Sequence, residues 1–130
     1  IQTHSAIKYV GRHDDIRPHL FISDIFVFPS YREGFPNVVM QAGAMDLPCI
    51  VTDINGCNEI ITEGENGLIV GPKDTDSLFQ AMQLLLDNTT LRVSMASCAR
   101  KIIAERYNQK DFLAALLKEY KDRLKEKGIS

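Results

Sequence analysis

The run Cys49-Ile50-Val51-Thr52 carries no apolar–polar alternation and is bounded by Pro48 and Asp53. A strand exposed on one face alternates; a strand covered on both does not. This run therefore points to a parallel sheet with helices on both sides. Three more short runs read as strands: Ile7-Lys8-Tyr9-Val10-Gly11, Ile25 to Phe28, and Leu68-Ile69-Val70. Helical stretches separate them. Asp14 or Asp15 can cap a helix through Leu20 to Ile22, with Pro18 early enough to be tolerated. A second helix runs from Pro36 to Met45, and Asn58 to Thr62 makes a short one. After Pro72 the chain turns helical. Asp74 caps a helix with Leu78, Ala81, Met82 and Leu85 on one face. A further helix carries Leu91, Met95, Cys98, Ala99 and Ile102. The last carries Leu113, Leu116, Leu117, Tyr120 and Leu124. The expected fold class is α/β: a parallel sheet of about four strands flanked by helices, with a C-terminal helical tail.

Composition narrows the function classes. The 130 residues suffice for one domain, and 45% hydrophobic with 25% charged residues is ordinary for a soluble globular chain. A net charge of −2 gives no whole-chain case for nucleic acid or an anionic membrane. The terminal helix holds Lys118, Lys121, Arg123, Lys125 and Lys127, but Glu119, Asp122 and Glu126 interleave, as on a solvated helix face. No apolar run approaches membrane-spanning length. Cys49, Cys57 and Cys98 are odd in number and form no CxxC pair, which favours reduced thiols in a cytoplasmic setting. No His/Cys/Asp/Glu group has metal-ligand spacing. His13 and His19 stand alone and receive no catalytic role.

In open sheets of this kind ligands bind outside the carboxyl ends of the strands. The segments after Val10, Phe28 and Thr52 all lie at that edge. The most informative is Ser30-Tyr31-Arg32-Glu33-Gly34-Phe35-Pro36-Asn37-Val38-Val39-Met40-Gln41. Pro36 suits a first helical turn, so Glu33 sits on a strand-to-helix loop just before a helix N-terminus. The amides of Phe35, Asn37 and Val38 are candidates for a phosphate, with Gly34 permitting a tight turn before them. A carboxylate beside a phosphate makes sense when the ligand also carries hydroxyls, as a sugar diphosphate does. The plainer alternative for Glu33 is that it satisfies the helix dipole.

Glu33-Gly34-Phe35-Pro36, then Gln41-Ala42-Gly43-Ala44-Met45, then Leu47 to Thr52 resembles the donor-site signature of retaining, nucleotide-sugar-dependent glycosyltransferases of family 4. The likeness continues through Gly56, Asn58 to Ile61, Gly64, Asn66 to Val70 and Pro72-Lys73-Asp74. It implies the GT-B fold, in which two Rossmann-like domains face each other across a cleft. On this resemblance residues 1–130 are part of the C-terminal, donor-binding domain. The acceptor domain and the first half of the donor domain are then expected to precede Ile1.

The resemblance further implies site roles. Glu33 would accept hydrogen bonds from the donor sugar and counts as the catalytic candidate. Gly34, Phe35, Pro36, Asn37 and Val38 would cradle the diphosphate. Gly11 and Arg12 would lie near the nucleobase. The family usually has a second Glu eight residues after the first, bridging the ribose hydroxyls. Here Gln41 holds that position, able to accept one hydroxyl proton and donate back but without the charge. Gly56 would allow close approach to the donor, while Glu59 is read as a structural anchor of its loop. No cofactor and no metal are expected. Expected partners are a nucleotide-sugar donor and, through the preceding domain, an acceptor sugar or lipid-linked glycan, with no nucleic acid and with room for peripheral membrane contact. The implied place is the cytoplasm, at the inner face of the membrane, in polysaccharide or glycoconjugate synthesis. The alternatives are a non-catalytic Rossmann-like nucleotide-binding or interaction module, or another GT-B enzyme such as a nucleotide-sugar epimerase.

Overall fold

Parallel pairing joins three short strands: β1 (Phe26–Phe28), β2 (Cys49–Thr52) and β3 (Gly67–Val70), in that order across the sheet. The structure is a computed structural model and describes residues 4–128. The register sets Phe26 against Cys49 and Cys49 against Gly67. All four residues of β2 are buried, as its unalternating sequence requires. Gly67 is needed where it stands, since a Cβ there would lie 2.2 Å from the Cys49 carbonyl oxygen.

The expected fourth strand is absent. Residues 7–11 form no strand, and Ile7, Tyr9 and Val10 are exposed. A strand-like run becomes a strand only beside a hydrogen-bonding partner, and none pairs with it among the described residues.

Six helices occur among the described residues: α1 (Arg17–Phe21), α2 (Asn37–Ala44), α3 (Cys57–Ile60), α4 (Thr75–Asp87), α5 (Thr89–Arg106) and α6 (Gln109–Glu126). Boundaries fall within a residue or two of expectation for α2 to α4. Pro36 is the N-cap of α2, with φ −76°, rather than its first helical residue. In α1 the N-cap is Ile16, but the Asp15 carboxylate still accepts from the Arg17 N–H at 3.0 Å. Its hydrogen bonds to Arg17 hold the Asp15 carboxyl down at about 2. Asp74 caps α4 as expected, accepting from Ser77 N–H at 2.9 Å.

Two apolar clusters sandwich the sheet. One joins Val39 and Ala42 of α2 with Cys49, Val51, Cys57 and Ile60. The other joins Ile50, Leu68 and Val70 with Ala81 and Leu85 of α4. Helix α5 serves both, giving Met95 to the second and Ile103 to the first. The sequence stripe on α5 named Ile102; the structure buries Ile103 instead, where α2 passes close. A Cβ on Gly43 would stand 2.9 Å from Ile103 Cγ1. The stripe on α6 has no cover: Leu113, Leu116, Leu117, Tyr120 and Leu124 are all exposed. After the Asn108 cap the chain has left the sheet, so nothing in the described structure lies against that face.

Candidate functional site

The strands deliver two loops to their carboxyl edge, residues 29–36 after β1 and 53–56 after β2. These loops press together, and the contact is made at Gly56. Its φ is +80°, and a Cβ on it would stand 2.3 Å from the Gly34 carbonyl oxygen and 2.9 Å from Pro36 Cδ. The sequence reading gave Gly34 a tight turn and Gly56 a close approach to the donor. The structure places the conformational need at Gly56, because Gly34 avoids the left-handed region and a Cβ there would meet open space. Glu59 anchors the Gly56 loop as expected, its Oε1 accepting from Gly56 N–H at 3.3 Å.

Glu33 is half-buried at this junction. Its Oε1 accepts a hydrogen bond of 2.7 Å from Ser30 Oγ. The Ser30 carbonyl in turn accepts from Thr52 Oγ1, at the buried end of β2. Behind the carboxylate lies Cys57, whose thiol is pushed up by burial and secondarily by the Glu33 charge. Beside Ser30 and Thr52 opens a cleft of about 180 Å³ lined by Pro29, Tyr31, Thr52, Gly71 and Lys73. The Lys73 ammonium stands 5.8 Å from the Tyr31 ring centroid.

Pro36 is buried and opens α2. Among the described residues, the N–H groups of Phe35, Asn37 and Val38 meet no backbone acceptor; the first in the series is Val39, donating to the Pro36 carbonyl at 3.1 Å. The first-turn amides of Asn37 and Val38, and the Phe35 amide just before the cap, are therefore left without a backbone partner near a carboxylate, an arrangement suited to an anion with attached hydroxyls. The Phe35 side chain turns elsewhere, meeting Tyr107 edge-on with ring centroids 5.5 Å apart. Tyr107 is fixed by donating to the Glu59 carbonyl at 2.9 Å. Phe35, Asn37, Met40 and Tyr107 thus line a groove between α2 and the start of α6.

Gln41 is exposed and lines a different hollow of about 440 Å³, with Asp14, Asp15, Ile16 and Arg17. Gly11 and Arg12 are exposed too, and no hydrogen bond ties either to the Glu33 loop among the described residues. Sequence reasoning gave no role to Ser30, Thr52 or Tyr107. Ser30 and Thr52 sit at the ends of apolar runs facing the proposed edge, which is the one signal that marked them beforehand. Tyr107 carried none. No group of three or more His, Cys, Asp or Glu suited to a metal occurs among the described residues.

All three cysteines are free thiols. Burial pushes Cys49 up to about 12, with Cys57 adding to the shift. In the native protein at pH 8, iodoacetamide should label the half-exposed Cys98 first, with Cys49 slower by roughly a thousandfold or more. Mass spectrometry of peptides over a time course measures this, and equal rates would show that the core opens.

Residues 2–88 match the family model described as Glycosyl transferases group 1. The chain belongs to that family. It is 38% identical over 110 residues to an N,N'-diacetylbacillosaminyl-diphospho-undecaprenol alpha-1,3-N-acetylgalactosaminyltransferase of Campylobacter jejuni, covering 78% of this chain and 29% of that protein. It is 35% identical over 94 residues to an Escherichia coli UDP-Gal:alpha-D-GlcNAc-diphosphoundecaprenol alpha-1,3-galactosyltransferase, covering 72% of this chain and 24% of the relative. The chain thus spans less than a third of the length of these group 1 relatives. Its fold is similar to part of Anabaena HepE solved with UDP, at a TM-score of 0.87 and 20% identity over 91% of this chain and 33% of HepE. Among the described residues no helix is long and apolar enough to cross a membrane.

Proposed function

We propose that this chain is the donor-binding portion of a retaining, family 4 glycosyltransferase that moves a sugar from a nucleoside diphosphate to an acceptor hydroxyl. The observation that carries the reading is Glu33, fastened beside three amides that lack a backbone partner at the start of α2. Glu33 accepts from hydroxyls of the donor sugar. The amides of Phe35, Asn37 and Val38 hold the diphosphate and stabilise the charge that grows on it as the glycosidic bond breaks. Donors already in place for that charge are often the largest electrostatic contribution to catalysis. Gly34 and Pro36 shape the loop that aims them. Gly11 and Arg12 border the nucleobase. The reaction needs no bound metal on this reading. The Campylobacter and Escherichia relatives are named for acceptors on undecaprenyl diphosphate, which supports a lipid-linked acceptor, peripheral membrane contact and a cytoplasmic location. Sugar release from UDP- or GDP-sugars by the full-length protein, followed with lipid-linked acceptors, is the test. Nucleotide binding without any turnover would instead favour a non-catalytic module.

Gln41 is assigned to the ribose. It stands in the second turn of α2, one turn beyond Asn37, and lines the hollow shared with Asp14 to Arg17, close in the chain to the residues assigned to the nucleobase. A carboxylate there accepts from both ribose hydroxyls with charge-assisted bonds, roughly twice as strong as neutral ones. Repulsion from the diphosphate trims the gain, because that charge is one sugar away. Gln41→Glu is expected to tighten nucleotide-sugar binding by up to about tenfold, or ~1.4 kcal/mol, and Gln41→Ala to weaken it. Calorimetric titration decides; three equal affinities would place the ribose elsewhere.

A further inference from the structure

We propose that Ser30 is a positioning residue for Glu33, and that Oε2 is the carboxylate oxygen presented to the donor sugar. The proposal rests on the reading of Glu33 as the sugar ligand. A glutamate on a loop has three side-chain torsions and, left alone, samples several directions; holding one oxygen removes most of that freedom. Here one oxygen is held. Ser30 Oγ donates to Oε1 at 2.7 Å, three residues back along the same loop. No hydrogen bond reaches Oε2 among the described residues, so it is the oxygen left for a ligand.

The loop alone cannot fix the carboxylate, because Ser30 would move with it. Thr52 ties Ser30 down. Its hydroxyl donates to the Ser30 carbonyl from the carboxyl end of β2, the strand buried throughout. Thr52 is 2% exposed, so water competes little for this donor. The relay runs from the rigid centre of the sheet through Thr52 and Ser30 to Glu33. It spans both strand-edge loops, since the β2 loop also meets Gly34 through Gly56. Precise catalytic geometry needs this kind of support from the layer behind the contacting residue.

The arrangement distinguishes sugar from nucleotide. Glu33 touches the sugar only, so loosening it should weaken UDP-sugar and leave UDP alone. The full-length protein and its variants are titrated with UDP and with UDP-glucose, UDP-galactose, UDP-N-acetylglucosamine and UDP-N-acetylgalactosamine, using the sugar that binds best. Ser30→Ala should lower the ratio of UDP-sugar to UDP affinity by roughly tenfold. Ser30→Thr, which keeps the hydroxyl, should restore it. Thr52→Val should lower the ratio in the same sense by a smaller factor, and serves should Ser30→Ala fail to fold. A ratio that falls in Glu33→Gln but stays at the parent value in both Ser30→Ala and Thr52→Val overturns the positioning role alone. A raised ratio in Ser30→Ala overturns it too, because Ser30 would then be competing with the sugar. An unchanged ratio in Glu33→Gln overturns the reading of Glu33 as well.

Discussion

Gly56→Ala is expected to destabilise the protein by about 3 kcal/mol or more, near the upper end for single substitutions. Two costs combine. A non-glycine residue in the left-handed region costs roughly 1–2 kcal/mol, and Gly56 has φ +80°. The new methyl would also stand 2.3 Å from the Gly34 carbonyl oxygen and 3.0 Å from Phe35 Cα. Both are backbone atoms, so relief requires moving the Glu33 loop rather than rotating a side chain. The loop that shifts is the one that carries the proposed diphosphate amides, so nucleotide affinity should fall along with stability. Gly34→Ala is the matched control. Its methyl would meet nothing within 4 Å, and stability should stay within about 0.5 kcal/mol. Urea unfolding of both variants makes the comparison. Equal stabilities would mean that the two loops do not touch in solution.

The second large effect is on turnover. Glu33→Gln keeps size and shape but removes the charge and turns one acceptor into a donor. Interactions of this kind with developing charge or with a bound hydroxyl are worth roughly a hundredfold in rate, or about 2.7 kcal/mol. A fall of kcat/KM by ~100-fold is expected in the full-length protein, with UDP affinity close to the parent value. Stability should change little, because Ser30 can still donate to the amide oxygen of Gln. Steady-state kinetics with the best UDP-sugar, beside UDP titration, measures both. Parental kcat/KM would remove Glu33 from the site and leave it as a residue that serves the helix dipole.

Local chemistry made much of this legible. Asp74 was readable as a cap because its carboxylate satisfies a nearby amide three residues on. The β2 run was readable because burial on both faces leaves no reason to alternate. The motif from Glu33 to Gln41 was readable because strand, loop and helix follow within a few residues. Where several partners were equally plausible along the chain, reading failed. Ile7 to Val10 has a strand's composition, yet strands are made by neighbours. Leu113 to Leu124 has a core stripe, yet no element covers it among the described residues. Ile102 and Ile103 are adjacent on α5, and only the approach of Gly43 decides that Ile103 is the buried one.

By itself the sequence determined the α/β class, the boundaries of α2 to α4, the buried central strand and the loop holding Glu33, all set by interactions within a few residues. Tertiary structure alone decided which glycine the junction cannot do without, that Ser30 and Thr52 stand behind Glu33, and that Tyr107 braces Phe35 from 72 positions later in the chain. Residues so far apart meet only when strands pair and helices pack, and the Thr52–Ser30 hydrogen bond or the close approach of Gly56 to the Gly34 carbonyl leaves no trace in composition or periodicity.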